Sequence, residues 1–152
     1  MSNAASAMPT IADFINELEQ VAPPDLADAD DRIGLQVGNR SREARRVCVS
    51  VDTSDAIVDQ AIERKADLLV AHHPLIYAPL ASLAEDDPVA RRVTKLIRAN
   101  AAVFVLHTNY DSVPGGINDA LAAKLGVLDC EPLTTRKSDP YVKIAVFVPE
   151  EA

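Results

Sequence analysis

The chain has 152 residues, of which 48% are hydrophobic and 25% charged, and it carries a formal charge of −8. That length suits one domain burying about two-thirds of its unfolded surface, and the composition is too apolar for a disordered chain. The acidic balance argues against nucleic-acid and anionic-membrane partners, which require a clustered positive surface.

The opening Met1-Ser2-Asn3-Ala4-Ala5-Ser6-Ala7 reads as a disordered leader or cloning remnant, so residues 1–9 are set apart from the fold. Thr10 caps a helix whose apolar positions Ile11, Phe14, Ile15, Leu18 and Val21 recur at helical spacing. Asp13, at the third helical position, completes a variant capping box, and Pro23-Pro24 stop the helix. A polar loop leads to Ile33-Gly34-Leu35-Gln36-Val37-Gly38, whose alternation suggests a short strand.

From Val47 the pattern becomes regular. Val47 to Val51 reads as a buried strand, with Cys48 packed inside it. Thr53, Ser54 and Asp55 open a helix with Ile57, Val58, Ala61 and Ile62 on one face. Leu68 to Ala71 is the next strand, and Asp87-Pro88 start a helix carrying Val89, Val93, Leu96 and Ile97. Ala102 to Leu106 is a further strand. Gly115-Gly116 precede a helix with Ile117, Leu121 and Leu125, stopped by Gly126. Tyr141 to Val148 begins another strand.

Strands alternating with helices through short connections imply an α/β fold, its sheet mainly parallel and covered by helices on both faces. Residues 10–140 are expected to form that domain, and the chain stops as the strand over Tyr141 to Val148 finishes. Cys48 and Cys130 are far apart and form no CxxC motif, so neither a disulfide framework nor a redox pair is implied. No apolar stretch reaches membrane-spanning length and no signal sequence opens the chain, which points to the cytoplasm. Two basic stretches, Arg40 to Arg46 and Arg91 to Arg98, read as solvated faces.

All three histidines fall in two polar clusters, His72-His73-Pro74 and His107-Thr108-Asn109-Tyr110-Asp111, each just after an apolar run. In a parallel sheet the strand ends gather at one edge, where ligand sites of open α/β sheets form. Neighbouring strands lie about 5 Å apart, so residues beyond adjacent strand ends reach a common ion. Pro74 biases His73 toward extended backbone, which turns consecutive imidazoles in different directions. Mixed imidazole and carboxylate donors suit Zn, Fe, Mn or Ni better than Mg or Ca. Simpler roles compete: Asp111 also suits a turn, Asp52 also suits a helix cap, and Gly115-Gly116 suit either a tight turn or an anion cradle.

Ile33-Gly34-Leu35-Gln36-Val37-Gly38, Ser50-Val51-Asp52-Thr53, Ala71-His72-His73-Pro74-Leu75-Ile76, the His107 to Asp111 element and Gly115-Gly116-Ile117-Asn118-Asp119-Ala120-Leu121-Ala122 occur in characteristic order and spacing. Together they resemble the Nif-three-like family, also called GTP cyclohydrolase I type 2-like or YbgI-type. The resemblance runs from Thr10 to Val148. It implies an α/β fold, a dinuclear metal centre and a homo-oligomer, commonly a hexameric ring. Carried over by motif, His72, His73 and Asp111 match metal ligands, while His107 stands behind them or at the substrate; Asp52, which follows the strand Val47 to Val51 at the same rim, is a candidate for the same place. The implied activity is divalent-metal-dependent hydrolysis of a nucleotide or related small molecule; the alternative is a non-catalytic metal-binding assembly or regulatory module.

Two departures from the family pattern stand out. Asp30-Asp31-Arg32 replaces the usual Trp-Asp-Asn, and no histidine follows His107 to match the His and Glu that the family supplies from a later helix. The resemblance therefore implies an N-terminal portion, with residues 141–152 the start of the family's second half or of an inserted domain, cut short, two divalent ions in the complete protein and weak or absent binding here.

Overall fold

A computed structural model of the chain describes residues 8–132. Residues 1–7 of the leader expected over 1–9, and the strand expected over Tyr141 to Val148, lie outside the described residues, while the Pro9 carbonyl is tied to the fold by the Ala44 N–H at 2.9 Å. Among those described, four strands form one sheet in the order β1-β4-β3-β2.

Helix α1 spans Ile11–Val21 and starts as its sequence dictates. The Thr10 hydroxyl accepts the Asp13 N–H, and the Asp13 carboxylate accepts the Thr10 N–H at 2.7 Å, a reciprocal capping box. A single 3-10 turn, Pro24–Leu26, follows the proline stop. Strand β1, Gly34–Val37, runs antiparallel to β4 (Ala102–Val105), so the sheet is mixed at that edge. The bend that ends β1 is Gly38, where an added Cβ would lie 2.5 Å from the Ala102 Cβ. No side chain fits that approach.

The remaining strands, β2 (Val47–Ser50), β3 (Leu68–Ala71) and β4, are parallel. Helix α2 (Asp55–Glu63) connects β2 to β3, and α3 (Pro88–Arg98) connects β3 to β4. Asp87 caps α3 by accepting the N–H groups of Val89 and Ala90, each at 2.8 Å.

Two cores flank the sheet, divided by strand alternation. Leu68, Val70, Ala102, Phe104 and Leu106 pack with Ile11 and Ile15 of α1 on one face. Leu69, Val103 and Val105 pack with Val58 of α2 and Val93 and Leu96 of α3 on the other. Phe104 is among the most deeply buried side chains, and truncating such a residue to Ala typically costs ~3–5 kcal/mol.

Two expectations need correction. Val47 to Val51 is not a buried strand: β2 is the outer strand, with Val49 81% and Val51 58% exposed. Val47 still packs against the cluster that holds Ile11 and Ile15 of α1, but Val49, two residues on and on the same face, is left uncovered. Cys48 is only partly buried, against the α2 side. Likewise α5 (Ile117–Leu125) buries none of its residues, and Leu121 and Leu125 are exposed. The helix forms at the expected spacing and bonds to the residues before it through the Asn118 amide and the Asp111 carbonyl, but Leu121 and Leu125 have no cover among the described residues.

Register explains where the chain leaves the sheet. Ser50, Ala71 and Val105 are aligned across β2, β3 and β4, so the three strands end level. The ladder runs slightly further, with the N–H groups of His72 and His73 donating to the Ser50 and Val51 carbonyls at 3.1 and 2.7 Å.

Candidate metal centre

Level strand ends bring the two histidine clusters together. His72, His73 and His107 each offer one ring nitrogen, all within 4.8 Å of one another. Ring centroids lie 5.0 Å apart for His72 and His73 and 5.1 Å apart for His72 and His107. The Asp111 Oδ1 sits 3.7 Å from the His72 Nε2, on the same rim.

His72 follows β3, and its Nδ1 lies 3.0 Å from the Leu106 carbonyl oxygen. A carbonyl can only accept, so Nδ1 carries a proton, and in the neutral ring the Nε2 lone pair is the one left to face the rim. His73 is the exposed member of the group. The loop behind it is clamped from β1: the Gln36 amide donates to the Ile76 carbonyl at 3.0 Å and accepts the Ile76 N–H at 2.8 Å. Arg32 adds a bond from Nε to the Tyr77 carbonyl.

His107 follows β4 and caps a short helix, α4 (Thr108–Ser112), where the sequence suggested only a polar cluster, with Asp111 open to a turn role. Its carbonyl accepts the N–H groups of Tyr110 and Asp111, which places Asp111 one helical turn beyond it. Asn109 is 1% exposed. Its side chain accepts the His107 N–H at 2.9 Å and donates to the Ala22 carbonyl at 2.7 Å, fastening α4 to the end of α1.

His107 Nδ1 lies 2.7 Å from the Asp31 Oδ1, and the Asp31 side chain is 3% exposed. Burial pushes that carboxyl up, but the bonds from the Thr108 side chain, His107 and the backbone of Thr108 and Arg32 outweigh it. They hold its pKa at about 2. Asp31 thus belongs to the site, although nothing in the polar loop singled it out except its position in the altered family tripeptide.

Asp52 stands at the same edge. Its Oδ1 accepts the Ser54 N–H at 2.8 Å, a turn leading into α2. That bond chiefly, then one with the Ser54 side chain and the fields of His73 and Arg92, lower its pKa. Gly115 and Gly116 form no anion cradle. The Gly115 N–H donates to the Asp119 carboxylate and the Gly116 N–H to the Val113 carbonyl. Gly116 serves packing instead, since a Cβ there would fall 2.1 Å from the Tyr110 carbonyl oxygen.

The donor set fits a divalent transition ion. Three imidazoles and a carboxylate converge, and two of the rings have Nδ1 against a fixed oxygen, as metal-ligating histidines commonly do.

Residues 9–148 match the family described as Duf34/NIF3 (NGG1p interacting factor 3). A Listeria innocua protein named GTP cyclohydrolase 1 type 2 homolog is 41% identical over 133 residues, covering 88% of this chain and 36% of that protein. A Bacillus subtilis protein of the same name is 39% identical over 138 residues, covering 91% and 37%. Among solved structures, a Bacillus cereus protein related to NIF3 superposes with a TM-score of 0.75 at 37% identity, over 78% of this chain and 33% of that one. HcgD from Methanocaldococcus jannaschii gives 0.75 at 31% identity, over 82% and 50%. The chain spans about a third of the length of these Listeria and Bacillus relatives.

Proposed function

This chain belongs to the Duf34/NIF3 family, and from that premise we propose that it carries the metal site of a divalent-metal-dependent hydrolase acting on a nucleotide or related small molecule. The observation that carries the reading is the convergence of His72, His73 and His107, with Asp111 beside His72, at the ends of adjacent parallel strands. His72, His73 and Asp111 are the proposed ligands. Zn, Fe, Mn and Ni suit this donor set.

When bound, such ions supply Lewis-acid polarisation of a substrate oxygen and acidify water. The chain's own residues do the rest. Leu106 and Asp31 fix two ring orientations through Nδ1, Gln36 holds the loop that follows His73, and Asn109 anchors the start of α4. Asp52, beside His73 at the rim, is proposed to meet the substrate. The name GTP cyclohydrolase 1 type 2 homolog, borne by relatives, supports a purine nucleotide as the first substrate to test. In the complete protein we propose a second ion, its remaining donors supplied by sequence outside this chain, and a cytoplasmic location. No helix among the described residues is long and apolar enough to cross a membrane.

The second reading is a non-catalytic metal-binding assembly module. The exposed apolar residues Val49, Val51, Leu121, Leu125 and Leu128 favour an association surface, and homo-oligomerisation serves either reading. Elemental analysis combined with a nucleotide and phosphoester hydrolysis screen separates the two. Hydrolysis abolished by His72→Ala and by chelation supports the enzyme. Metal-dependent changes in oligomeric state without hydrolysis support the module.

A further inference from the structure

We propose that Asp31 is a positioning residue that holds His107 in its Nδ1–H tautomer, leaving the Nε2 lone pair free to join the nitrogens of His72 and His73. The inference rests on the metal-binding reading above and makes His107 a third imidazole donor of the cluster.

Four donors converge on the Asp31 carboxylate. The Arg32 N–H and the His107 Nδ1 meet Oδ1, each at 2.7 Å, and the Thr108 N–H meets Oδ2 at 3.0 Å. The Thr108 hydroxyl also bonds Oδ2; because its own oxygen accepts the Asp28 N–H at 2.9 Å, its proton is directed to Asp31. The Arg32 N–H, the Thr108 N–H and the Thr108 hydroxyl donate whatever the state of His107, and three such bonds favour Asp31 as the carboxylate, which can only accept. The His107 Nδ1 that faces Oδ1 is then the donor. Free histidine side chains favour the Nε2–H form, which would turn a proton rather than a lone pair toward the cluster. The buried carboxylate reverses that preference. His72 reaches the same tautomer independently through the Leu106 carbonyl, so the two rings have separate anchors.

This connection also accounts for a sequence oddity. Asp31 lies in the loop before β1, yet it locks the exit of β4, because β1 and β4 are antiparallel neighbours. The loop entering β1 is thereby placed beside the residues leaving β4.

The chain contains three histidines, all in this cluster, so long-range proton–nitrogen spectra of the metal-free, nitrogen-15-labelled protein resolve every imidazole. At about pH 8, above the usual histidine range, His72 and His107 are expected as Nδ1–H tautomers. In Asp31→Asn and Asp31→Ala, His107 is expected to lose that preference while His72 keeps it, which also reports that the fold persists. The affinity for Co²⁺ is expected to fall about 10–100-fold in both variants, as for other residues that orient metal-bound histidines. A wild-type His107 carrying its proton on Nε2, or one whose tautomer is unchanged in both variants, overturns the proposal. Failure of the wild type to bind Co²⁺, with the tautomers as expected, overturns the metal reading alone and leaves the Asp31–His107 relation standing.

Discussion

His72 Nε2 and Asp111 Oδ1 lie 3.7 Å apart, joined by no strand or helix of their own. One follows β3 directly; the other sits a turn into α4, beyond β4. Their meeting follows from the parallel pairing of β3 with β4 and from the short helix that starts at His107.

That proximity makes Asp111 a sensitive probe. Altering residues that merely orient ligands costs about 10–100-fold in metal affinity, so Asp111→Ala, which removes a proposed ligand, is expected to cost at least that. The Asp111 side chain is partly exposed, so thermal stability of the metal-free protein should change little. Calorimetric titration with Zn²⁺ and a melting curve on the same sample check both halves.

Asn109 has a structural role that should appear in stability instead. Asn109→Ala leaves the His107 N–H and the Ala22 carbonyl without their side-chain partner in a buried setting. The expected loss is ~2–4 kcal/mol, from an unmet donor and an unmet acceptor, read by urea denaturation of the metal-free protein. A loss below about 0.5 kcal/mol would mean that the end of α1 and the start of α4 are held by other contacts.

Adjacent glycines should behave differently. Gly116→Ala forces a Cβ against the Tyr110 and Val113 carbonyl oxygens, and so requires α4 or its exit to move. Its cost is steric, ~1–3 kcal/mol or more, with the rim disturbed. Gly115→Ala meets open space but keeps a φ of +76°, so its cost is conformational, ~1 kcal/mol. Loss of metal affinity in Gly116→Ala but not in Gly115→Ala is the expected pattern.

Acid stability follows from two carboxylates. Asp31 is held at about 2. Burial also pushes Asp67 up, but the Arg45 and Arg46 N–H groups and the charges of Arg42 and Arg46 bring it below its usual value. Both pKa values are lower in the folded than in the unfolded protein. Their contribution is therefore complete above about pH 4, the unfolded carboxylate value, and is lost as pH falls toward 2. Asp31→Asn should be less stable near neutrality and flatten the acid limb of a denaturation profile between those limits.

Much of the architecture was legible because it is local. The capping box of α1, the Asp87-Pro88 start of α3 and the continuous apolar runs of β3 and β4 each declare themselves within a few residues. The rim was legible through one geometric rule, that parallel strands end on the same side. The exposure of β2 and α5 was not legible, since an apolar run records what can be buried and not whether a neighbour covers it. Asp31 was hidden for a related reason: in a loop of acids, burial is decided by contacts from distant Thr108 and His107. The α4 turn was missed because five residues are too few for helical periodicity to register.

The central claim is that this rim binds a divalent cation through its histidines. The direct measurement is a Zn²⁺ binding isotherm with elemental analysis on the wild-type chain and on His72→Ala. The account predicts saturable binding of one equivalent in the wild type, weaker than a complete ligand set would give, and its loss in the variant. A wild type that holds no metal, or a His72→Ala protein that binds it equally well, would contradict it.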